Sequence, residues 1–163
     1  MFFSNRAEKN KKKLIKHLFL SLIIGCWLAL SQAPFSFTYL GLLALPTMAF
    51  FWLKFSESSL KSGLIGGVFG LGYFSITMLW IMEPFFVGDS KYLPWLAPFA
   101  LFVVSIYLSF FWAVAFHLAT FFGGKSRSKK ILNLVFFLTL GELGRSLLFG
   151  GFPWGLISHS LID

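Results

Sequence analysis

The sequence predicts an all-α integral membrane protein, with about five transmembrane helices that form an incomplete helical bundle. Three observations predict this fold class. Of the 163 residues, 57% are hydrophobic and only 12% are charged, whereas a soluble domain carries about 25% charged residues. The mean hydropathy is +0.79, and 23 residues are Phe. The apolar residues form runs of about the length that a bilayer requires, so we expect lipid around most of the chain.

The chain divides into a basic N-terminal segment and five apolar runs. Residues 1–17 hold six Lys or Arg, and we expect a cytoplasmic tail that is disordered or lies on an anionic leaflet. The first two runs are short for a hydrocarbon core of about 30 Å, which fits either a tight hairpin or a partly re-entrant segment. The transmembrane domain is predicted to cover 18–163, with helices at about 18–33, 39–53, 62–82, 93–122 and 131–149 and an outer-face turn at 150–163.

The distribution of basic residues predicts the orientation. If the N-terminus is cytoplasmic, then residues 1–17, 54–61 and 123–130 all lie inside and hold 12 of the 14 Lys and Arg. Lys91 is the only basic residue in an outside segment, and Arg145 lies within the fifth run. Cytoplasmic loops carry an excess of Lys and Arg. We therefore expect a multi-pass membrane protein whose N-terminus is cytoplasmic and whose C-terminal end is outside, and we attribute the net charge of +8 to this bias and not to nucleic-acid binding.

Two other interpretations of the N-terminal region are weaker. A cleaved signal peptide would end at Ser31-Gln32-Ala33, but Pro34 would then follow the cut, and four more apolar runs remain. The segment Ile23–Cys26 resembles the motif at which a cysteine is lipidated, yet an apolar run continues directly after it. We therefore expect Cys26 to be a small buried helix residue.

Intramembrane charges are the first candidates for function because they are costly in lipid. Glu142 and Arg145 stand three residues apart, so they share a helix face and can pair. Arg145 lies about 6 Å below the outer end of the fifth run. Two interpretations remain open: the pair holds an anionic headgroup near the outer leaflet, or it neutralises itself and fixes the helix to its neighbours.

Other candidate residues indicate packing more than chemistry. The third run contains the pairs Gly63/Gly67 and Gly66/Gly70, whose spacing allows close helix contact. His117 is expected to be hydrogen-bonded within the bundle. No His, Cys and carboxylate residues have metal-ligand spacing, so we expect no metal and no cofactor. Trp95, Tyr92 and Trp154 lie where an outer aromatic belt is expected.

Four segments in a fixed order carry a family resemblance. They are SQAPFSF, GGVFGLGYFSITMLWI, YLPWLAPFALFV and GELGRSLLFGGFPWGLISHS. Together they resemble the N-terminal membrane domain of the bacterial apolipoprotein N-acyltransferases. The most specific match is Glu142 and Arg145 followed by Gly151-Phe152-Pro153-Trp154, and Trp80 ends the Gly-rich third helix as in the family.

The resemblance implies transfer of an acyl chain from a membrane phospholipid to the N-terminal amine of a diacylglyceryl-cysteine lipoprotein. In this family a nitrilase-like domain with a Glu-Lys-Cys triad forms a thioester acyl-enzyme at the outer face. None of the present residues corresponds to the triad, so we expect a chain that stops before that domain and is inactive alone. We also expect the protein to be a monomer. The resemblance also makes six residues candidates for lipid or substrate binding: Trp80, Glu142, Arg145, Phe152, Pro153 and Trp154.

Two other functions stay open on the sequence. One is a non-enzymatic polytopic membrane protein that packs against or binds lipid. The other is a small transporter subunit, which we disfavour because we find neither an internal repeat nor a polar pair at the bilayer midplane.

Overall fold

The computed structural model describes residues 2–87 and 93–148, and every regular element among them is helical. This confirms the all-helical prediction. The elements are α1 (Phe2–Ala29), α2 (Thr38–Phe55), α3 (Ser59–Thr77), a 3-10 helix (Leu79–Phe86), α4 (Leu93–Gly123) and α5 (Arg127–Leu148). The predicted outer-face turn at 150–163 lies outside the described residues.

Within residues 2–87 and 93–148, two helices are long and apolar enough to cross a membrane, namely α2 with 18 residues and α4 with 31 residues. A third span results if α3 and the 3-10 helix, which are bent by 43° relative to each other, are counted as one. The remaining two helices carry more charge, because α1 includes the lysine-rich segment and α5 contains Arg127, Lys129, Lys130, Glu142 and Arg145. A membrane protein is therefore supported, whereas five spans stay a prediction.

The first predicted boundary differs from the structure. We expected residues 1–17 to be a tail that is disordered or lies on an anionic leaflet. The segment is not disordered, because α1 begins at Phe2 and continues without a break into the apolar run, whereas contact with a leaflet stays a prediction. Lysine and glutamate are good helix formers, and Glu8 pairs with Lys12 one turn later at 2.8 Å. The apolar run thus continues a helix that the basic residues have already begun.

Serine caps explain why two other helices begin before their apolar runs. The Ser58 side chain accepts a hydrogen bond from the backbone N–H of Lys61, and Ser126 accepts one from the backbone N–H of Lys129. Serine at this position satisfies a backbone donor that the first helical turn leaves unpaired. As a result α3 begins three residues, and α5 four residues, earlier than predicted.

The third helix also ends earlier than predicted. We expected it to reach residue 82, but α3 ends at Thr77 and gives way to the 3-10 helix. Pro84 lacks a backbone N–H, and in an α-helix its ring would collide with the carbonyl of Trp80. It also disfavours the α conformation at Glu83, so Pro84 weakens α-helical geometry over residues 80–83 within the 3-10 helix.

Glycines bring three helices into close contact, as the small-residue spacing predicted for α3. A Cβ atom at Gly66 would overlap the Phe116 ring on α4. On the other side of α3, a Cβ at Gly72 would overlap the Leu22 carbonyl of α1. Gly25 of α1 lies equally close to the Phe69 carbonyl of α3. The backbones approach because no side chain separates them.

The contacts define an up-and-down arrangement. Ser62 near the start of α3 bonds to Thr120 near the end of α4, whereas Gly70 contacts Ser109, so these helices are antiparallel. By contrast, α1 and α3 run in the same direction. The Ser21 hydroxyl donates to the Ile65 carbonyl at 2.6 Å, and four residues further along both helices Gly25 contacts Phe69.

This arrangement places all three basic segments at one end of the bundle. The start of α3 lies beside the end of α4, so the α2–α3 and α4–α5 connections share that end. The N-terminal half of α1 joins them, since Lys13 lies 3.6 Å from Glu57 in the α2–α3 connection. We call this the basic end, and we call the end at which α3 and α5 terminate the opposite end.

Candidate functional site: a buried ion pair

Glu142 and Arg145 form an ion pair inside the helix bundle, one turn apart on α5. An Arg145 Nη2 group donates to Oε2 of Glu142 at 2.6 Å. The Arg145 side chain is 3% exposed and that of Glu142 is 16% exposed. The predicted i, i+3 pairing is therefore present, and both charges face protein more than the surroundings.

A tryptophan from α4 donates a second hydrogen bond to the Glu142 carboxylate. The indole N–H of Trp112 donates to Oε1 of Glu142 at 2.8 Å. The two carboxylate oxygens thus accept from different donors, one on α4 and one on α5. Because hydrogen bonds to a charged group are stronger than neutral ones, this contact ties α5 to α4 at the depth of the ion pair.

Aromatic rings from α3 surround the same group. The guanidinium carbon of Arg145 lies 5.3 Å from the centroid of the Phe74 ring, a cation–π distance. Tyr73 stacks on Trp112 with centroids 5.0 Å apart and planes 19° apart. Three helices therefore converge on one Glu–Arg pair close to where α3 and α5 end.

The geometry has a chemical consequence. A charged pair away from water is stable only if each charge is neutralised and hydrogen-bonded, and Trp112 and Arg145 together meet this requirement for Glu142. In this arrangement the Arg145 guanidinium contacts Glu142 and the Phe74 ring, and Arg145 as a whole is 2% exposed. The structure shows the pair enclosed and hydrogen-bonded, and both interpretations that the sequence left open stay predictions.

Of the other four predicted site residues, the structure describes only Trp80. Trp80 belongs to the 3-10 helix and is 37% exposed, and that helix packs against α3 and α4. Phe152, Pro153 and Trp154 lie outside the described residues. The structure therefore brings Glu142 and Arg145 together and leaves the remaining candidates as predictions.

Cysteine and histidine residues are placed as parts of the packing. The Cys26 thiol faces the Gly72 carbonyl at 3.6 Å, within the α1–α3 contact. His117 is half-buried on α4 and stacks with Phe121. Within residues 2–87 and 93–148, no group of three or more His, Cys, Asp or Glu side chains is placed to hold a metal ion.

A second polar cluster lies nearer the basic end and was missed by the sequence reasoning. The Ser62 hydroxyl donates to the Phe116 carbonyl at 2.6 Å. It accepts from Thr120 Oγ1 at 2.7 Å and from the indole N–H of Trp52. Ser62 and Trp52 are fully buried, so this cluster joins α2, α3 and α4 without using a formal charge.

The sequence reasoning also missed Trp112 as the partner of Glu142. One signal was available, because a buried indole N–H requires an acceptor and Trp112 lies in the middle of the fourth apolar run. Glu142 is the only carboxylate in the fifth run. Their pairing across 30 residues nevertheless depends on how α4 and α5 face each other, which neither run specifies alone.

Comparisons with known proteins agree with the family resemblance. The family described as apolipoprotein N-acyltransferase N-terminal domain matches residues 24–163. Relatives named apolipoprotein N-acyltransferase include one from Rhodopseudomonas palustris, 30% identical over 154 residues that cover 91% of this chain and 28% of the relative. Another, from Methylococcus capsulatus, is 36% identical over 153 residues that cover 91% of this chain and 29% of the relative. The chain thus spans less than a third of the length of these relatives.

Proposed function

The chain belongs to the apolipoprotein N-acyltransferase family, and from this membership we propose that it is the membrane part of an acyltransferase. The reaction moves an acyl chain from a membrane phospholipid to the N-terminal amine of a diacylglyceryl-cysteine lipoprotein. The match over residues 24–163 is the observation that carries the proposal. Phospholipid is the acyl donor, the lipoprotein is the acceptor, and the protein acts as a monomer without a cofactor.

We further propose five spans in the bacterial cytoplasmic membrane, with the basic end inside. The convergence of the three basic segments at one end supports this orientation, because positive residues remain on the cytoplasmic side. The fifth span is α5, whose 22 residues extend about 33 Å. Its two inner charges are compatible with a span because they pair with each other and with Trp112 rather than facing lipid.

Exposed apolar side chains supply the lipid contact. On α4 they recur at helical spacing, as in Phe99, Phe102, Val103, Ile106 and Phe110, each at least 45% exposed. A soluble surface would carry polar groups at such positions. In the proposed enzyme this face meets acyl chains directly.

The Glu142–Arg145 pair is assigned a positioning role. It fixes the end of α5 against α3 and α4, a few residues before the segment Gly151–Trp154. Phe152, Pro153, Trp154 and Trp80 are then the residues proposed to touch the phospholipid or the acceptor. We expect loss of the pair to release the end of α5 and so to lower acyl transfer, even though Arg145 itself is buried.

A chimera tests the function. The matching N-terminal part of the Rhodopseudomonas palustris relative is replaced by this chain, and N-acylation of a diacylglyceryl lipopeptide is followed by mass spectrometry. We expect an active chimera, whereas Arg145→Ala should lower its turnover. Leu143→Ala is the matched control, because Leu143 lies on the same helix and is 54% exposed. A folded chimera that retains phospholipid but transfers no acyl group would favour the non-enzymatic lipid-binding alternative.

The 163 residues alone are proposed to bind phospholipid without forming an acyl-enzyme. A thioester route needs a thiolate, a neighbouring base and donors for the oxyanion. The Cys26 thiol instead faces a backbone carbonyl in a helix contact. Incubation of the purified chain with a labelled acyl donor should therefore leave Cys26 unmodified, and a labelled adduct that disappears in Cys26→Ser would contradict this.

A further inference from the structure

A small pocket of about 70 Å³ opens at the basic end, far from the Glu142–Arg145 pair. The N-terminal half of α1 forms one side of it, and the α2–α3 connection with the start of α3 forms the other. Its polar lining includes Lys13, His17, Glu57 and Lys61, and its apolar lining comes from Leu14 and Phe55. It is therefore a mixed site that lies where the apolar part of α2 ends.

The pocket holds an excess of positive charge. Glu57 pairs with Lys61 at 2.5 Å and with Lys13 at 3.6 Å, so a single carboxylate serves two ammonium groups. Both lysines are partly exposed, Lys13 by 56% and Lys61 by 42%. Neighbouring Lys61, more than any other group, holds the pKa of Glu57 below its usual range, which keeps this carboxylate ionised and in place as an internal anion.

The apolar side of the pocket is a ring stack. The His17 imidazole lies 4.1 Å from the Phe55 ring, centroid to centroid, and His17 is 9% exposed. Burial lowers the pKa of His17, and Lys13 lowers it further. The imidazole is therefore neutral at physiological pH and adds a flat surface beside the two ammonium groups.

The ammonium groups of Lys13 and Lys61 lie next to the apolar side chains of Leu14 and Phe55. This arrangement is complementary to a phospholipid headgroup, in which a charged phosphate is joined to a less polar glycerol. A lipid surface supplies both parts at once, since anionic headgroups attract clustered lysines at the membrane boundary. We propose that this pocket binds the headgroup phosphate of an anionic phospholipid at the cytoplasmic leaflet. The phosphate displaces the Glu57 carboxylate from Lys13 and Lys61 while Leu14 and Phe55 contact the glycerol backbone. This site is separate from the acyl-transfer reaction.

The chain contains a matched control for a specific site. Lys12 is adjacent to Lys13 in sequence but pairs with Glu8 at 2.8 Å on the exposed side of α1, and it does not line the pocket. Lys12→Ala and Lys13→Ala remove the same charge from the same helix. If the basic segment only attracts anionic lipid through its overall charge, the two variants should lower the affinity for lipid equally. If the pocket binds the headgroup, Lys13→Ala should lower the affinity more than Lys12→Ala.

The test uses the purified 163-residue protein in uncharged detergent micelles at constant pH. Short-chain phosphatidylglycerol, phosphatidylcholine of the same chain length and inorganic phosphate are titrated separately, and the His17 imidazole is followed by NMR. His17→Gln identifies the signal. We expect a saturable shift with phosphatidylglycerol and no saturation with the other two at the same concentrations.

The variants are expected to bind phosphatidylglycerol with different affinities. Lys13→Ala and Lys61→Ala should each weaken binding by about fivefold, and Lys12→Ala should leave it unchanged. Glu57→Gln should strengthen binding, because it removes the competing carboxylate. An equal loss in Lys12→Ala, weaker binding in Glu57→Gln, or saturation by inorganic phosphate at the same concentration would each overturn the proposal.

Discussion

Two ion-pair groups, one at each end of this bundle, use the same chemistry in opposite surroundings. Glu142 and Arg145 are almost fully enclosed, and Trp112 and Phe74 complete their contacts. Glu57, by contrast, meets Lys13 and Lys61 with more than 40% of each side chain exposed. Exposed pairs are worth little because water and salt screen them, whereas a buried pair that loses one partner leaves an uncompensated charge.

This difference indicates different roles for the two ends. The enclosed pair contacts side chains of α3 and α4 as well as lying on α5, so we expect changes to it to affect stability first. The exposed pairs leave the basic end free to exchange partners with a ligand, so changes to them should affect binding more than stability. The following experiments break or sharpen this distinction.

The largest effect is expected from removing one partner of the buried pair. Arg145→Ala strands the Glu142 carboxylate, and Glu142→Ala strands the guanidinium, each at a cost of about 3–5 kcal/mol in the free energy of unfolding. The double variant should cost less than the sum, because no single charge remains. Thermal unfolding in detergent measures these differences, with Leu143→Ala, at an exposed position of the same helix, as the control. Single variants as stable as the parent would refute the enclosed-pair account.

A smaller effect is expected when only the indole donor is lost. Trp112→Phe leaves Oε1 of Glu142 without its partner, which costs about 1–3 kcal/mol in addition to the lost volume. Trp52→Phe is the matched control, since it also removes an indole N–H but leaves Ser62 bonded to Thr120 and to the Phe116 carbonyl. We therefore expect a smaller loss of stability in Trp52→Phe. An equal loss in the two variants would show that the charge of Glu142 does not make the Trp112 hydrogen bond the stronger one.

A pH-dependent effect is expected at the basic end. The pKa of His17 is lowered by burial and then by Lys13, Lys16 and Lys61, while Glu57 opposes them. The unfolded chain therefore binds the proton more readily, and the stability that neutral His17 provides is lost as the pH falls below about 6.5. Melting temperatures should fall more between about pH 7.5 and pH 5.5 in the parent than in His17→Gln. An identical fall in both proteins would assign the pH dependence to other groups.

The smallest effect on stability is expected at Glu57. The Glu57→Gln substitution removes the charge from both exposed pairs, and surface pairs of this kind often contribute nothing measurable. The melting temperature should therefore remain that of the parent within experimental error. A loss comparable to that of Glu142→Ala would show that the basic end is as rigid as the opposite end.

Residues whose role depends on local spacing could be predicted from the sequence. The i, i+3 spacing of Glu142 and Arg145 placed them on one helix face, and the four-residue spacing of the α3 glycines predicted a close helix contact, though not the helix that makes it. The all-helical class followed from composition. Each of these properties is carried by a single segment.

Residues whose role depends on the relation between segments could not be predicted in the same way. Trp112 meets Glu142 only because α4 and α5 are antiparallel with a particular register. Ser62 becomes the centre of a polar cluster only when α2 and α4 both pack beside it on α3. The helical state of the basic segment was missed for another reason, since its charge was weighed above the helix propensity of its lysines.

The central claim is that the basic end and the opposite end lie on different sides of the membrane. Single cysteines in a Cys26→Ser background test it most directly, with Ser58→Cys in the α2–α3 connection and Lys91→Cys in the segment predicted to be outside. In intact cells a membrane-impermeant maleimide should label Lys91→Cys, and it should label Ser58→Cys only after the membrane is permeabilised. Labelling of both cysteines from the same side would contradict the five-span topology and the orientation of the whole bundle.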